Sequence, residues 1–293
     1  DFLMTGSIGN IDIASGLQFR DESFDIARGA SSIAKFDAAG NITEPADLLF
    51  LGGGLESTAN RNATALFIEG SMNPSDRLEV KGALRYEDLE SDSSVDPKIA
   101  FRYQASDELA LRASFSTSFR EASLAQLTST NISLQGIQDY NADGSAKGGT
   151  AFIRIAQANN PNLAPEESDN MNIGAIWNPT DKLSMKLDYW AIDYTNVITI
   201  ESAQGKVAAN PLDPDVKRTA GGTLTGVTTK YFNAANVNTS GLDFESTYDF
   251  DTSFGQAQVG VNMMHMFEYE IPVGNTTKDV VGLFNHDNFA RSL

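Results

Sequence analysis

Apolar and charged residues alternate with a period of two along this chain, in segments of about ten residues each. Successive side chains of a β-strand point to opposite faces, so each such segment would have one apolar face and one charged face. In residues 77–86 the apolar positions are Leu78, Val80, Gly82, Leu84 and Tyr86, and the charged ones are Arg77, Glu79, Lys81 and Arg85. Residues 108–119, 182–189 and 242–250 repeat the plan. The pattern predicts an all-β chain of antiparallel strands.

The connections between these segments differ in length in a regular way. Short turns rich in Asn, Asp and Ser are predicted at residues 73–76, 104–107, 178–181 and 251–255. The alternate connections are mostly long, at residues 21–62, 119–166 and 200–229, with a shorter one near 89–96. Within them we expect a short helical turn at residues 120–127, which are rich in good helix formers, and a flexible loop at residues 52–54. Transmembrane barrels combine short turns on one side of the membrane with long loops on the other. We therefore expect about ten strands in one domain spanning residues 1–293, the first strand being only a tail.

A soluble β-sandwich would also alternate, because one face of each sheet packs on a core. The predicted strands are long for a sandwich, whose strands usually have about 5–6 residues. Aromatic residues such as Tyr86, Phe101 and Trp177 lie near the predicted strand ends, as in an interfacial girdle. These features favour an antiparallel transmembrane β-barrel, with a soluble β-sandwich binding module as an alternative.

Composition excludes several other classes of protein. The net charge is −18, with 39 acidic and 21 basic residues and no basic cluster, so no nucleic-acid partner is expected. The chain has no cysteine, which excludes disulfides and thiolate chemistry. No apolar stretch is long enough for a transmembrane helix. The chain starts at Asp1 without a signal peptide, so we expect a segment of a longer protein.

Four segments carry a family resemblance. They are LRASFSTSFREASLAQL at residues 111–127, NPNLAPEES at 160–168 leading to LDYWAIDY at 187–194, NAANVNTSGLDFE at 233–245, and GGG at 52–54 followed by ALFIE at 65–69. In order and spacing they resemble the barrel of the TonB-dependent outer-membrane receptors. Glu121-Ala122 stands where that family often has Ala-Pro.

The resemblance implies about ten strands of a larger, 22-stranded barrel. It further implies that the N-terminal plug domain and the final strands are absent from these residues. The function implied is ligand-gated active import of a scarce large nutrient across the outer membrane of a Gram-negative bacterium. The ligand would be a ferric siderophore, cobalamin, haem or an oligosaccharide, and the partners would be the TonB complex, acting through the plug, and outer-membrane lipid. A passive porin-like or structural barrel is the alternative within the membrane class.

Ligand-binding residues are expected in the long loops. Arg120, Tyr140, Arg154 and Tyr231 are the candidates, since arginine suits anionic chelates and tyrosine suits stacking. The charged inner faces, with residues such as Arg112 and Asp188, are expected to line an aqueous interior.

A weaker metal hypothesis concerns residues 139–144. Asp139, Asn141 and Asp143 alternate before Gly144, like the opening of a calcium loop, but Thr150 stands where that loop needs Glu. An ordinary turn explains the same residues. No other cofactor is expected. Nothing near the two histidines, His265 and His286, forms a recognisable catalytic triad, so we do not expect an enzyme.

Overall fold

The computed structural model describes residues 1–38, 42–44, 53–89, 92–273 and 276–283. Helices are short: α1 (Leu124–Thr128), α2 (Ala203–Ala209) and a 3-10 turn at Ala30–Ser32. The strands are β1 (Phe2–Ile8), β2 (Ile11–Ile26), β3 (Lys35–Phe36), β4 (Ile42–Glu44), β5 (Gly53–Gly54), β6 (Ser57–Ser75), β7 (Leu78–Asp88), β8 (Ser93–Gln104), β9 (Leu109–Arg120), β10 (Asn131–Ile137), β11 (Ala151–Ala158), β12 (Glu166–Thr180), β13 (Leu183–Thr195), β14 (Ile198–Ile200), β15 (Val216–Arg218), β16 (Leu224–Asn233), β17 (Val237–Thr252), β18 (Gly255–Val273) and β19 (Thr276–Asp279). The all-β prediction is confirmed.

Most strands form one antiparallel sheet of 11 strands, which we call the wall sheet. Its order is β1-β2-β6-β7-β8-β9-β12-β13-β17-β18-β19. Each wall strand therefore pairs with the next wall strand along the chain, and the strands that this order skips belong to the long loops. Over the described residues β1 and β19 are its two edges, and the sheet does not close on itself. This is the architecture of a partial barrel wall.

Short and long connections lie at opposite ends of the wall sheet. Residues 9–10, 76–77, 105–108, 181–182 and 253–254 form the short ones, and residues 27–56, 121–165 and 196–236 the long ones. The exception is the short connection at residues 89–92, between β7 and β8, which lies at the long-loop end. β6 and β12 run into two of the predicted turns, with irregular pairing between Met72 and Ser75 and between Trp177 and Thr180. Pro74 and Pro179 lie in these irregular stretches and have no N–H to donate to a ladder.

The two faces of the wall sheet differ as the alternation predicts. One face carries exposed apolar residues on adjacent strands, including Phe19, Leu66, Ile68, Leu84, Tyr86, Ile99, Phe101, Leu111, Phe115, Ile173 and Leu187. Leu66, Tyr86 and Val95 form one continuous row by register. The charged residues between them lie on the other face, which we call the inner face. Because the apolar side chains are exposed and not buried between stacked sheets, the sandwich alternative has no support.

The long loops also fold into a second sheet, the loop sheet, with the order β14-β16-β11-β10-β5 and β15 paired to β16. β11, from the loop at 121–165, pairs in parallel with β16, from the loop at 196–236. α2 packs on this sheet over a small core of Ile137, Ile153, Ile155, Ala203, Val207, Val216, Leu224 and Val227. The two loops therefore form one packed unit.

Of the predictions made for short segments of the chain, one is confirmed and one is wrong. The helical turn expected in residues 120–127 is present as α1, with a capping box between Ser123 and Gln126. Gly53 and Gly54, expected in a flexible loop, instead pair with β10. His286 lies outside the described residues. Among those described, no helix has both the length and the hydrophobicity needed to cross a membrane.

Candidate ligand-binding site

The clearest candidate site is a groove on the face of the loop sheet opposite α2. It has a volume of about 200 Å³ and is lined by Ile42, Arg154, Ala156, Lys217, Arg218, Thr225, Gly226, Val227 and Thr228. Period-two alternation explains this placement, because Ile153 and Ile155 face the α2 core while Arg154 and Ala156 face the groove. Gly226 lets β16 approach β11 closely, since an added Cβ would lie 3.0 Å from the Arg154 carbonyl oxygen.

Arg154 is the least satisfied cation of this groove. Its buried Nε has no hydrogen-bond partner within the described part of the chain. Lys217, beside it, donates from Nζ to the Pro214 carbonyl oxygen at 2.9 Å. Among the described residues, no carboxylate side chain lines the groove. The positive charges of Arg154 and Lys217 therefore line the groove together, which makes the groove chemically suited to an anion.

Arg218 has a different role at the edge of the groove. Its guanidinium donates two hydrogen bonds to the Asp139 carboxylate, at 2.6 and 2.9 Å, and one to the Gly222 carbonyl oxygen. The hydrogen bond from Arg218 lowers the pKa of Asp139, and the same bond raises the pKa of Arg218. This pair joins the two long loops, because Asp139 belongs to one and Arg218 to the other.

A second ionic cluster fixes α2 to the loop sheet. The Lys206 ammonium donates to Glu201 at 2.6 Å and to Asp215 at 2.9 Å. Burial alone would lower the pKa of Lys206, but the hydrogen bonds with these two carboxylates raise it. Burial also opposes ionisation of Asp215, yet Lys206 holds the pKa of Asp215 below its ordinary value. The α2 helix is thus held by charge as well as by its apolar face.

The predicted ligand residues lie on separate elements, and of the four only Arg154 lines the groove. Arg120, at the end of β9, forms an ion pair with Glu166. Tyr140 packs against the core of the loop sheet. Tyr231 lies in β16, where its carbonyl oxygen accepts a hydrogen bond from Asn160. Lys217 was not predicted, because a lone lysine in a loop gives no signal of its partners.

The residues of the calcium hypothesis are engaged in the turn itself. The Asp139 carboxylate is bound by Arg218, while Asp143 accepts hydrogen bonds from the N–H and Oγ of Ser145. Asn141 donates to the same Ser145 hydroxyl. Within the described residues, no group of three or more His, Asp or Glu side chains is arranged to hold a metal ion. The calcium site stays a prediction, and Asp139 would have to leave Arg218 in order to join it.

The inner face of the wall sheet carries the expected charges in defined pairs. Arg112 on β9 binds Asp188 on β13, and Lys186 lies 3.3 Å from Glu245 on β17. These residues, with Asp243, Asn262 and Met264, line a broad concavity of about 560 Å³. The charged faces of the sequence therefore do lie together on one surface.

Comparison with known proteins agrees with this architecture. The profile of the family described as TonB dependent receptor-like, beta-barrel matches residues 3–283. No curated protein sequence matches the chain. Similar solved structures include the siderophore receptor PirA from Acinetobacter baumannii, with a TM-score of 0.63 and 14% identity over 95% of this chain. PirA from Pseudomonas aeruginosa gives 0.59 and 15% over 92%. The ferric enterobactin receptor PfeA from the same organism, in complex with enterobactin, gives 0.65 and 16% over 91%.

The chain is much shorter than these structures. It spans 37% of the first PirA chain, 42% of the second and 34% of the PfeA chain. At such identities the likeness establishes the fold alone.

Proposed function

This chain belongs to the TonB-dependent receptor-like β-barrel family, and we propose that it forms part of the wall and ligand-binding loops of an outer-membrane receptor for active nutrient import. The family is one of outer-membrane β-barrel receptors and not of enzymes. In this proposal the receptor binds its ligand and changes conformation, and it makes or breaks no bond in the ligand.

The wall sheet supports the orientation that we propose. Its exposed apolar face would contact lipid, and its charged inner face would line the aqueous interior of the complete barrel. The long-loop end, with the loop sheet, would then face the cell exterior and meet the ligand first. The short-turn end would face the periplasm.

We propose a ferric siderophore as the ligand. The observation that carries this choice is the groove lined by both Arg154 and Lys217, with no carboxylate side chain among its described lining residues, since many such chelates are anionic. Similar structures named for siderophore and ferric enterobactin receptors agree with it. Cobalamin, haem and oligosaccharide are the other ligands that the test distinguishes.

The energy for import would come from the TonB complex, acting on a plug domain inside the barrel. This is the part of the proposal that separates a receptor from a passive porin-like or structural barrel. A porin would admit its solutes by diffusion, without any dependence on TonB.

The test is uptake by cells that express the full-length receptor as their only route for the ligand. We expect uptake of a ⁵⁵Fe-labelled anionic siderophore in a strain with TonB and none in a strain without it. Uptake that continues without TonB would favour the porin. Tight binding of purified receptor to haem, cobalamin or a neutral oligosaccharide, with none to ferric siderophores, would contradict the ligand class.

The groove itself is tested in the purified receptor by the double substitution Arg154→Met with Lys217→Met. We expect about a hundredfold or greater loss of affinity for the siderophore, because two charge-assisted hydrogen bonds are removed and each contributes about 1.5–3 kcal/mol. Arg102→Met is the matched control, since Arg102 is an exposed wall residue that bonds Gln104. Equal affinities in all three proteins would exclude the groove.

A further inference from the structure

A chain of alternating charges crosses the inner face of the wall sheet at its long-loop end. It consists of ion pairs between successive members of the series Arg85, Glu87, Arg20, Glu22, Arg61 and Glu121. We call this series the charge ladder. Its first five members lie on β7, β2 and β6, and the last is the residue that follows β9.

The ladder lies on the inner face because of strand parity. Arg85 and Glu87 alternate with the exposed Leu84 and Tyr86, and Arg20 follows the exposed Phe19. Glu22 and Arg61 are direct partners in the register of β2 and β6. The side chains of Arg61 and Glu121 are only 12% and 7% exposed. Such well-shielded pairs are weakly screened by salt and hold their geometry.

Arg61 connects the ladder to the loop at 121–165. Its Nη1 lies 2.7 Å from Glu121 Oε2 and donates to the Ala122 carbonyl oxygen at 2.9 Å. Ala122 is fully buried. In the wall sheet β7 and β8 lie between β6 and β9, so the contact of Glu121 with Arg61 spans the width of two strands at the long-loop end of the sheet.

The next residues of this loop remain attached to the end of β6. α1 packs against β6 and β2. Thr128 accepts a hydrogen bond from the Ser57 hydroxyl at 3.0 Å, and Asn131 accepts one from Arg28 at 2.7 Å. Residues 121–131 therefore lie over the interior edge of the wall.

We propose that the charge ladder is a clasp that holds the base of the loop at 121–165 inward, across the mouth of the barrel. Arg61 and Glu121 are its positioning residues. Because β11 of this loop pairs with β16, the clasp also fixes the position of the loop sheet relative to the barrel interior. The groove, which lies on the loop sheet, is positioned with it. This inference concerns the position of the loops and does not depend on which ligand is bound.

The test measures a distance in the full-length receptor reconstituted in lipid. These 293 residues contain no cysteine, so spin labels can be placed at Phe152→Cys on the exposed face of β11 and at Ser93→Cys at the start of β8. Double electron–electron resonance then gives the distribution of distances between loop and wall. We expect a single narrow distribution in the parent and at least a twofold greater width in Arg61→Met and in Glu121→Gln.

Two further variants separate a clasp from a general loss of stability. The double variant of Arg61→Met and Glu121→Gln should give a distribution no broader than that of Arg61→Met alone, because the loss of Arg61 already removes its contact with Glu121. Lys186→Met, which breaks an exposed pair on the same face, should keep the narrow distribution. Glu121→Gln keeps the shape of its side chain and remains informative if Arg61→Met fails to insert. The clasp would be overturned if the distance distribution of Glu121→Gln were as narrow as that of the parent. It would also be overturned if Lys186→Met broadened the distribution as much as Arg61→Met does.

Discussion

Arg112 on β9 binds the carboxylate of Asp188 on β13 across the strand that separates them, and Gly174 on that strand makes the contact fit. The Arg112 Nε donates to Asp188 Oδ1 at 2.8 Å, and a second bond joins its Nη2 to Oδ2. Gly174 is the register partner of both residues. A Cβ on Gly174 would overlap Asp188 Oδ1 and lie 2.8 Å from its Cγ. The glycine therefore serves a contact between its two neighbouring strands.

We predict that Gly174→Ala destabilises the folded barrel by about 1–3 kcal/mol, because the added methyl group must displace Asp188 or the backbone. The measurement is urea unfolding of the full-length receptor in lipid vesicles, followed by heat-modifiable gel mobility. Gly82→Ala is the control, since its Cβ would come no closer than 4.0 Å to the Lys98 carbonyl oxygen. Similar losses at both glycines would contradict the steric explanation.

The apolar face of the wall gives a prediction about lipid. Ile68→Arg should lower the free energy of unfolding by about 2–4 kcal/mol if this residue lies near the bilayer midplane, because the charged side chain must then leave water for lipid. Ser71→Arg changes a residue on the inner face of β6, three residues further along, and should lower the free energy of unfolding much less. Folding yield and urea midpoint in vesicles measure both. A smaller cost for Ile68→Arg than for Ser71→Arg would reverse the assignment of the faces.

The Asp139–Arg218 pair predicts how the stability of the loop sheet depends on pH. Arg218 lowers the pKa of Asp139, so this carboxylate stabilises the loop sheet above its unfolded pKa of about 3.9, and the stabilisation is lost as the pH falls through the lower folded value. We expect a spin label at Phe152→Cys to become more mobile as the pH falls below about 4.

Asp139→Asn should make that label mobile already at neutral pH and should flatten the pH profile. Asp143→Asn is the control, since this exposed carboxylate bonds only Ser145 among the described residues. A pH profile that is the same for Asp139→Asn and the parent would show that the pair does not hold the loops.

The core under α2 gives a prediction about local stability. Val207 is fully buried, so Val207→Ala should lower the stability of the loop sheet by about 1–3 kcal/mol. Hydrogen exchange should then show about 5- to 150-fold faster opening of amides in β11 and β16, with the wall strands unchanged. Ala208→Ser, at an exposed neighbouring position, should have little effect. Equal acceleration in the wall strands would mean that loops and wall unfold together.

The strands and their faces could be predicted from the sequence because alternation is local. Leu84 and Arg85 reveal opposite faces of β7 without any knowledge of the neighbouring strands. The alternation of short turns and long loops, and the family motifs, led to the same architecture.

The loop sheet could not be predicted in this way. The pairing of Ile155 with Val227 joins residues far apart in sequence. The alternation of side chains within one strand does not indicate which distant strand pairs with it. Gly53 and Gly54 suggested flexibility, yet Gly54 lies against the Thr130 carbonyl oxygen and the Arg28 guanidinium. The charge ladder was missed for the same reason, since single arginines and glutamates do not indicate their partners.

The parallel pairing of β11 with β16 has a consequence for chimeric receptors. A graft of residues 121–165 from a relative would bring a β11 whose apolar side chains do not match the resident β16, which would leave gaps or overlaps in the core that Ile153 and Ile155 share with Val227. Exchange of both segments together would keep the hydrogen-bonding register and the shared apolar core. Recombination between such genes is thus expected to transmit the two segments jointly, and an antibody raised to this surface would recognise one discontinuous epitope composed of both.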